Sequence, residues 1–595
     1  MNQVLRVSLL LVNCLCISAL LISPSLAQVN GPGPSPSNLF DTILNLPGDE
    51  AIISGASGES IGGPPSQTTQ LNVDAGGTVG VSFDANAGSE VNVSDGTVGD
   101  SFEAFTGSEV NISGGTVGNG FGTFADAVVN ISGGTVGNGF GTFADAVVNI
   151  SGGIVGDSSV ANGGVVNISG GEVGDSFAAN VGSEVNISGG MVGDSFGAFT
   201  GSEVNISSGI VGNAFVANGS VVNISGGEVG DSVRADAGSE VNISDGLVGS
   251  GFVANGSVVN ISGGTVGDTF GAAAGSVVNI SGGTVGDSFG SRTDAVVNIS
   301  GGIVGNALVA ASGGVVNISG GTVGDTFFAN AGGEVNISGG MVGDSFGANP
   351  GSEVNISGGT VGSGFVANGS VVNISGGTVG DSFGSFNDAV VNISDGIVGS
   401  EFVAASGSVV NISGGTVGDT FLANAGSEVN ISDGIVGSDF LAASGSVVNI
   451  NGGIIGDLFD ANFGSLVNIS GGSVGEGFDA NSGSVVNIFG GTLGDDFDAF
   501  SGSEVNILGS EFQIDGLDLG ILLPGEAFTI IDRDVTLSGL LADGEQFSLD
   551  LNLLDTDQDF FDPDATLTVT LAVPEPSSAV FITLVLAMGF ARRRR

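Results

Sequence analysis

Val110-Asn111-Ile112-Ser113-Gly114-Gly115-Thr116-Val117-Gly118 is the stretch that decides the fold. In an extended chain Val110 and Ile112 point to one side, and Asn111 and Ser113 to the other. The next apolar positions are Val117 and Phe121, and Phe102 and Ala104 of the preceding copy show the same alternation. Each copy therefore offers about five apolar side chains on short period-two runs. Between the runs lie Gly-Gly, Gly-Asp or Gly-Asn, and Ala-Asn-x-Gly, all turn formers. Nothing recurs at helical spacing.

The unit is repeated along most of the chain. With its Asn as origin, copies fall from Asn92, Asn111 and Asn130 to Asn487 and Asn506, and a degenerate copy begins at Asn72. Of the 22 steps between Asn92 and Asn506, eighteen are 19 residues and four are 18. The shorter copies lose their residue between alanine and glycine, as in Phe215-Val216-Ala217-Asn218-Gly219 beside Phe346-Gly347-Ala348-Asn349-Pro350-Gly351. A deletion there belongs in a turn, since inside a strand it would flip the buried face. One copy is too small to offset the cost of ordering itself. Stacked copies share columns of Val, Ile and Phe with their neighbours. The pattern predicts an all-β chain, a parallel β-solenoid (β-helix) of about 24 coils of 18–19 residues over 71–506. At about 4.8 Å per coil it would run on the order of 110 Å. Two or three sides per coil both fit.

The flanks depart from the repeat. Residues 28–70 read as a linker and N-terminal cap. Residues 507–573 read as a small β C-terminal cap, with alternating Phe547, Leu549, Leu551 and Leu553, alternating Leu567, Val569 and Leu571, and a hairpin signal at Asp543-Gly544. Caps are expected because an open sheet edge invites further pairing.

Composition narrows the function. The chain has 595 residues, of which 112 are glycine, and no His, Trp, Tyr or Lys. Eight basic residues stand against 62 acidic ones, a formal net charge of −54. Four of the eight are Arg592, Arg593, Arg594 and Arg595. Without clustered cations to displace counterions from phosphates, nucleic acid is excluded as a partner. Anionic membrane surfaces are excluded for the same reason.

Both ends read as addresses. Arg6, the apolar run Leu9–Leu21 and the small residues of Ser25-Leu26-Ala27 form a secretory signal, with cleavage expected after Ala27. Cys14 and Cys16, the only cysteines, lie within it, so the mature chain would carry no thiol. At the other end Pro574-Glu575-Pro576 precedes thirteen uncharged residues, 579–591, and the Arg592–Arg595 cluster. Thirteen helical residues reach about 20 Å, short of a permanent membrane span. Pro-Glu-Pro, a short apolar helix and terminal arginines, in that order, resemble the PEP-CTERM sorting tail of exported bacterial proteins. The resemblance covers only about 23 residues at the end of the chain. It implies an exosortase-like membrane protease as partner, contact with the membrane only through signal and tail as a transient transmembrane helix, and a final place at the cell surface or in an extracellular matrix beside exopolysaccharide.

Candidate chemistry is sparse. Without His, Lys, Tyr or mature Cys most nucleophile–base constellations are unavailable. Carboxylate pairs remain, so a carbohydrate-active β-helix enzyme, a polysaccharide lyase or glycosidase, stands as the alternative. The repeating acids argue for no enzyme. Asp100, Asp175, Asp194, Asp268, Asp325, Asp344 and Asp419 all share one place in the coil, which elsewhere holds Asn119, Asn306, Ser363 or Ser438. Aspartates on adjacent coils would sit near 5 Å apart and repel, which loosely bound divalent cations would relieve. Asp555, Asp557, Asp559, Asp562 and Asp564 form a sharper cluster whose Asp-x-Asp-x-Asp spacing suggests calcium, the one cofactor indicated, although the loop's glycine and distal glutamate are missing. Asn-Ile-Ser is a formal glycosylation sequon in nearly every copy, but strand geometry alone explains it: Asn and Ser face outward, and stacked Asn side chains can bond along the coils. The expectation is an exported structural or adhesive protein that presents one face many times.

Overall fold

The computed structural model describes residues 43–46, 52–53, 60–61 and 69–572, except 274, 293, 312, 406, 521–522 and 555–557. The described residues are all strand, turn and bend, with no helix. They fall into two compact units, the described residues up to 160 with 164–166, and those of 161–163 with 167–572. Both are parallel β-solenoids, about 23 turns in all. Among the described residues no helix is long and apolar enough to cross a membrane. The sorting tail and Ala27 lie outside the described residues.

One coil of the second unit shows why the repeat folds this way. The strand Val296–Val304 carries the sequence VVNISGGIV and is followed by the short strand Val309–Ala310. Val296–Val304 lies parallel on Val315–Val323 with Val297 beside Val316, Asn298 beside Asn317 and Ile299 beside Ile318. The register shifts at Ser300 and resumes with Ile303 beside Thr322. The Gly-Gly pair thus makes a bend within the long strand. Two further corners, at Gly-Asn and before the next Val-Val, complete the coil, which has three straight segments.

The inward side chains are Val297, Ile299, Val304, Leu308 and Ala310, none more than 1% exposed. These are the five apolar positions that the pattern marks. A sixth inward place, Ala295, precedes the long strand. In most coils it holds serine, as at Ser183, Ser202 and Ser352. In some coils the hydroxyl folds back on its own turn, as Ser183 Oγ donates to Asn180 O at 2.6 Å and Ser352 Oγ to Asn349 O at 2.7 Å, whereas in others, such as Ser220 and Ser408, it is buried without a hydrogen-bond partner. A serine beside Gly and Asn reads as an exposed turn residue, which is why the pattern does not reveal it.

Phenylalanine fills the corner of most coils and stacks on its counterparts. In the second unit Phe346, Phe365, Phe383, Phe402, Phe421 and Phe440 form a continuous column with centroids 4.7 to 4.8 Å apart. In the first unit Phe83, Phe102, Phe121 and Phe140 follow one another at 4.5 to 5.5 Å. The spacing is that of neighbouring strands, so register sets the stack. The 18-residue copies keep this register. Val216–Asn218 lies on Arg234–Asp236, and Ser220 is buried like Ser202, so the missing residue is absorbed at Gly219.

The ladder also reaches into the segment read as linker and cap. Ile43–Leu46 pairs with Thr69–Val73, Asn45 beside Asn72, and Ile52–Ile53 and Ser60–Ile61 pair with the next two segments of that coil. Asn45 precedes Asn72 by 27 residues, a longer step than the 18–19-residue period of the repeat.

After the last copy the chain becomes more varied. Glu504–Ile514 takes Thr566–Leu571 as a further parallel neighbour, and Phe560–Phe561 continues the short-strand ladder on Phe497–Ala499. Ala527–Ile530 lies antiparallel on Thr566–Leu571. Thr536–Leu541 and Gln546–Asp550 form an antiparallel hairpin turning at Asp543-Gly544, as the dipeptide predicts. Leu549, Leu551, Leu567 and Val569 are buried, but the expected alternation stops short of Leu553, which is 41% exposed. The strand ends at Asp550, and period-two facing persists only to Leu551.

Candidate binding faces

The outward side chains form columns along the coils. The asparagines make an unbroken hydrogen-bonded file within each unit. Nδ2 of Asn111 donates to Oδ1 of Asn92 at 3.0 Å, and Nδ2 of Asn317 to Oδ1 of Asn298 at 2.9 Å. In most coils where glutamate stands two residues earlier it accepts a second bond, as Glu334 Oε1 does from Asn336 Nδ2 at 2.7 Å. The amide of each sequon is therefore half-buried and engaged in the ladder, in keeping with the strand reading of that motif.

The aspartate column is also a ladder, of a kind the spacing does not reveal. Asp175 Oδ1 accepts the backbone N–H of Asp194 at 2.8 Å, and Asp194 Oδ1 that of Asn213 at 2.7 Å. Asparagine does the same: Asn119 Oδ1 accepts the N–H of Asn138 at 2.8 Å. The place calls for an acceptor oxygen rather than a charge, which explains why Asp and Asn interchange there. It also explains the glycine before it. A Cβ on Gly193 would lie 2.3 Å from Asp175 Oδ1. Replacing Asp194 by alanine is expected to destabilise its corner by about 1–2 kcal/mol, and by asparagine hardly at all. Amide hydrogen exchange at Asn213 in the two variants distinguishes an acceptor from a charge requirement; equal protection in both would reject the ladder role.

Of the proposed calcium cluster, Asp555 and Asp557 lie outside the described residues. Asp559 bridges two strands: Oδ1 accepts the N–H of Phe497 at 2.9 Å and Oδ2 that of Asp550 at 2.8 Å. In earlier coils the equivalent N–H finds a carbonyl in the following coil, as Phe459 does at Gly477 and Phe478 at Asp496. After Phe497 the repeat has ended, and the Asp559 carboxylate stands in for that carbonyl. Burial pushes the Asp559 carboxyl above its usual range, while its two N–H donors pull the other way. Asp562 Oδ1 accepts the N–H of Asp564, and Asp564 O that of Gly502. Among the described residues no group of three or more acidic side chains is arranged to hold a metal ion. Arg533 gathers the same region. Its guanidinium donates to the carbonyls of Phe561, Ile530, Asp532, Asp562 and Ala565 at 2.9 to 3.2 Å. Burial lowers its pKa, with Asp562 and Asp532 acting the other way.

A second acidic contact lies in the first unit. Asp84 and Glu103 occupy adjacent rungs of the short-strand ladder. Burial raises both pKa values, and Asp84 raises Glu103 further. The folded state thus prefers these carboxyls protonated. Their contribution is fully present below the ordinary carboxylate range and is lost as pH rises through the raised values. Amide protection around Glu103 is expected to fall between those limits, and Glu103→Gln to flatten the dependence. A pH profile unchanged by that substitution would count against it.

Cations are few on the described surface. Arg234 pairs with Asp236 at 2.7 Å on one strand. A cleft of about 440 Å³ beyond the repeats is lined by Glu511, Phe512, Gln513, Asp518, Leu519, Gly520 and Leu571. Of the residues singled out in the sequence it includes only Leu571.

The remaining outward column follows the Gly-Gly bend. Its occupants are threonine or a large aliphatic residue in most coils. Ile154, Met191, Ile210, Leu247, Ile303, Met341 and Ile397 are each 43–56% exposed. Glutamate holds the place at Glu172 and Glu228.

No protein-family model matches the chain, and no curated protein matches it. Among solved structures, the crystal structure of a TibC-catalyzed hyper-glycosylated TibA fragment is similar at 13% identity and a TM-score of 0.15, covering 63% of this chain and 87% of that one. A likeness at that score carries no argument about function.

Proposed function

We propose that the protein is an exported structural or adhesive component of the cell surface or extracellular matrix, sorted through its PEP-CTERM-like tail. The observation that carries this reading is the repetition of the outward columns: each coil offers nearly the same Asn, Ser, Gly-Gly and Thr or aliphatic places as the one before. Many equivalent weak contacts yield avidity without any single strong site. Exopolysaccharide or another matrix component is the partner class that the tail implies, and an exosortase-like protease the processing partner. The test is a series of coil deletions made in whole repeats, assayed for retention on a glycan and cell-surface panel. Retention should fall gradually with each repeat removed. Abrupt loss on changing one carboxylate, with turnover of a glycan, would replace this reading by the enzymatic one.

A further inference from the structure

Seven consecutive coils of the second unit carry an uncharged Ser-Gly-Gly-x-Val segment, from Ser262 to Val379. In a chain with 62 acidic residues this is a conspicuous gap. Asp245 and Asp395 close it, one in the coil before and one in the coil after. The variable residue reads Thr265, Thr284, Ile303, Thr322, Met341, Thr360, Thr378. These lie in one column, each beside the next in register. Ile303 is 53% and Met341 56% exposed.

By chemical class the order is palindromic about Thr322. Reversing the column places aliphatic Ile303 on aliphatic Met341, threonine on threonine, and Asp245 on Asp395. That is the symmetry a two-fold interface between identical chains requires, in which one patch meets itself reversed. The surface suits close approach, since the column stands beside Gly301-Gly302 and their counterparts, which project no side chain.

We propose that this neutral window is a lateral dimer interface, with Ile303 of one copy against the partner's Met341 and the reverse. It goes beyond the scaffold reading, which a monomer would satisfy equally well. Seven coils at about 4.8 Å by the four outward residues Ser-Gly-Gly-x at about 3.3 Å measure at most about 34 by 13 Å, since the chain bends within them. A pair would bury on the order of 900 Å², the size of a weak encounter rather than of a standard interface. The association is therefore weak, and the Asp245–Asp395 approach at either end, with the exposed column Asp268, Asp287, Asp325, Asp344 and Asp381 along one side of the window and Glu334 and Glu353 on the other, makes it stronger in salt, which screens exposed charges.

The experiment is sedimentation velocity of the full chain, up to about 100 µM, at low and high sodium chloride. Dimers should form at high salt. The double variant Ile303→Glu with Met341→Glu should weaken them at least about 30-fold, since it places like charges across the two-fold. Glutamate already occupies this column at Glu172 and Glu228, so the coil accommodates it; circular dichroism verifies the fold. Ile454→Glu, in the same column outside the window, should leave association unchanged. A wild-type chain that stays monomeric in both salts would overturn the proposal, as would a double variant that dimerises like wild type. Either result leaves the coil-deletion test of adhesion intact.

Discussion

Replacing Phe402 by alanine is expected to cost about 3–5 kcal/mol, felt in its own coil and the two beside it. The ring is wholly buried and stacks on Phe383 at 4.8 Å and on Phe421 at 4.7 Å. Truncation removes both stacks, each worth about 0.5–1.5 kcal/mol beyond its area, and opens a cavity that the coils cannot close without losing register. In a solenoid each repeat contacts only its neighbours, so the damage stays local. Hydrogen exchange should show loss of protection centred on Phe402–Ala404, with distant coils unaffected. Phe402→Leu should cost far less, because Leu308 already fills the same place and is fully buried. Uniform loss of protection throughout the chain would contradict this nearest-neighbour account.

The second large effect is at the bend. Gly302 has φ +74°, and a Cβ there would lie 2.7 Å from the backbone carbonyl of Gly282 and 2.8 Å from that of Gly283. Alanine incurs about 1–2 kcal/mol for the left-handed backbone, and the overlap with main-chain atoms raises the total to about 3–5 kcal/mol. The preceding glycine differs. Its place holds Ser208 in one coil and Asp245 in another, where the Asp245 carboxylate accepts the N–H of Gly246 at 2.8 Å. A Cβ on Gly301 would lie 2.3 Å from the Ser281 carbonyl oxygen, so serine there requires the local shift that the Ser208 and Asp245 coils make, but its φ is not left-handed; Gly301→Ser should therefore cost less than Gly302→Ala, as read from urea unfolding of the two variants. Equal midpoints would show that the bend, and not the second glycine, tolerates a side chain.

The contrast between these neighbours indicates where sequence reasoning reaches. The inward faces were legible because burial imposes a period of two: Val297, Ile299 and Val304 alternate with polar residues, and Phe and Ala mark the third segment. The asparagine file was legible too, since a parallel ladder in register sets each Asn beside the next. The early coil at Ile43–Leu46 escaped because its connection is longer than a repeat. At the candidate sites less could be read. The acidic column looked like a row of charges awaiting cations, whereas its oxygens meet backbone N–H groups one coil on. The interchange of Asp and Asn after an obligatory glycine was the available clue. Asp559 looked like part of a calcium loop, but its partners Phe497 and Asp550 are 62 and 9 residues away.

Alternation and the 19-residue period by themselves determined that the chain is a parallel solenoid and which side chains fill it, because both are consequences of one-dimensional spacing. Tertiary structure alone decided that each coil has three segments, that serine turns inward at the third corner, and that the carboxylates of Asp194 and Asp559 serve the backbone. Those outcomes depend on how the corners close and on which N–H groups the closure leaves pointing at a neighbouring oxygen. Such vectors are set only when one coil lies on another.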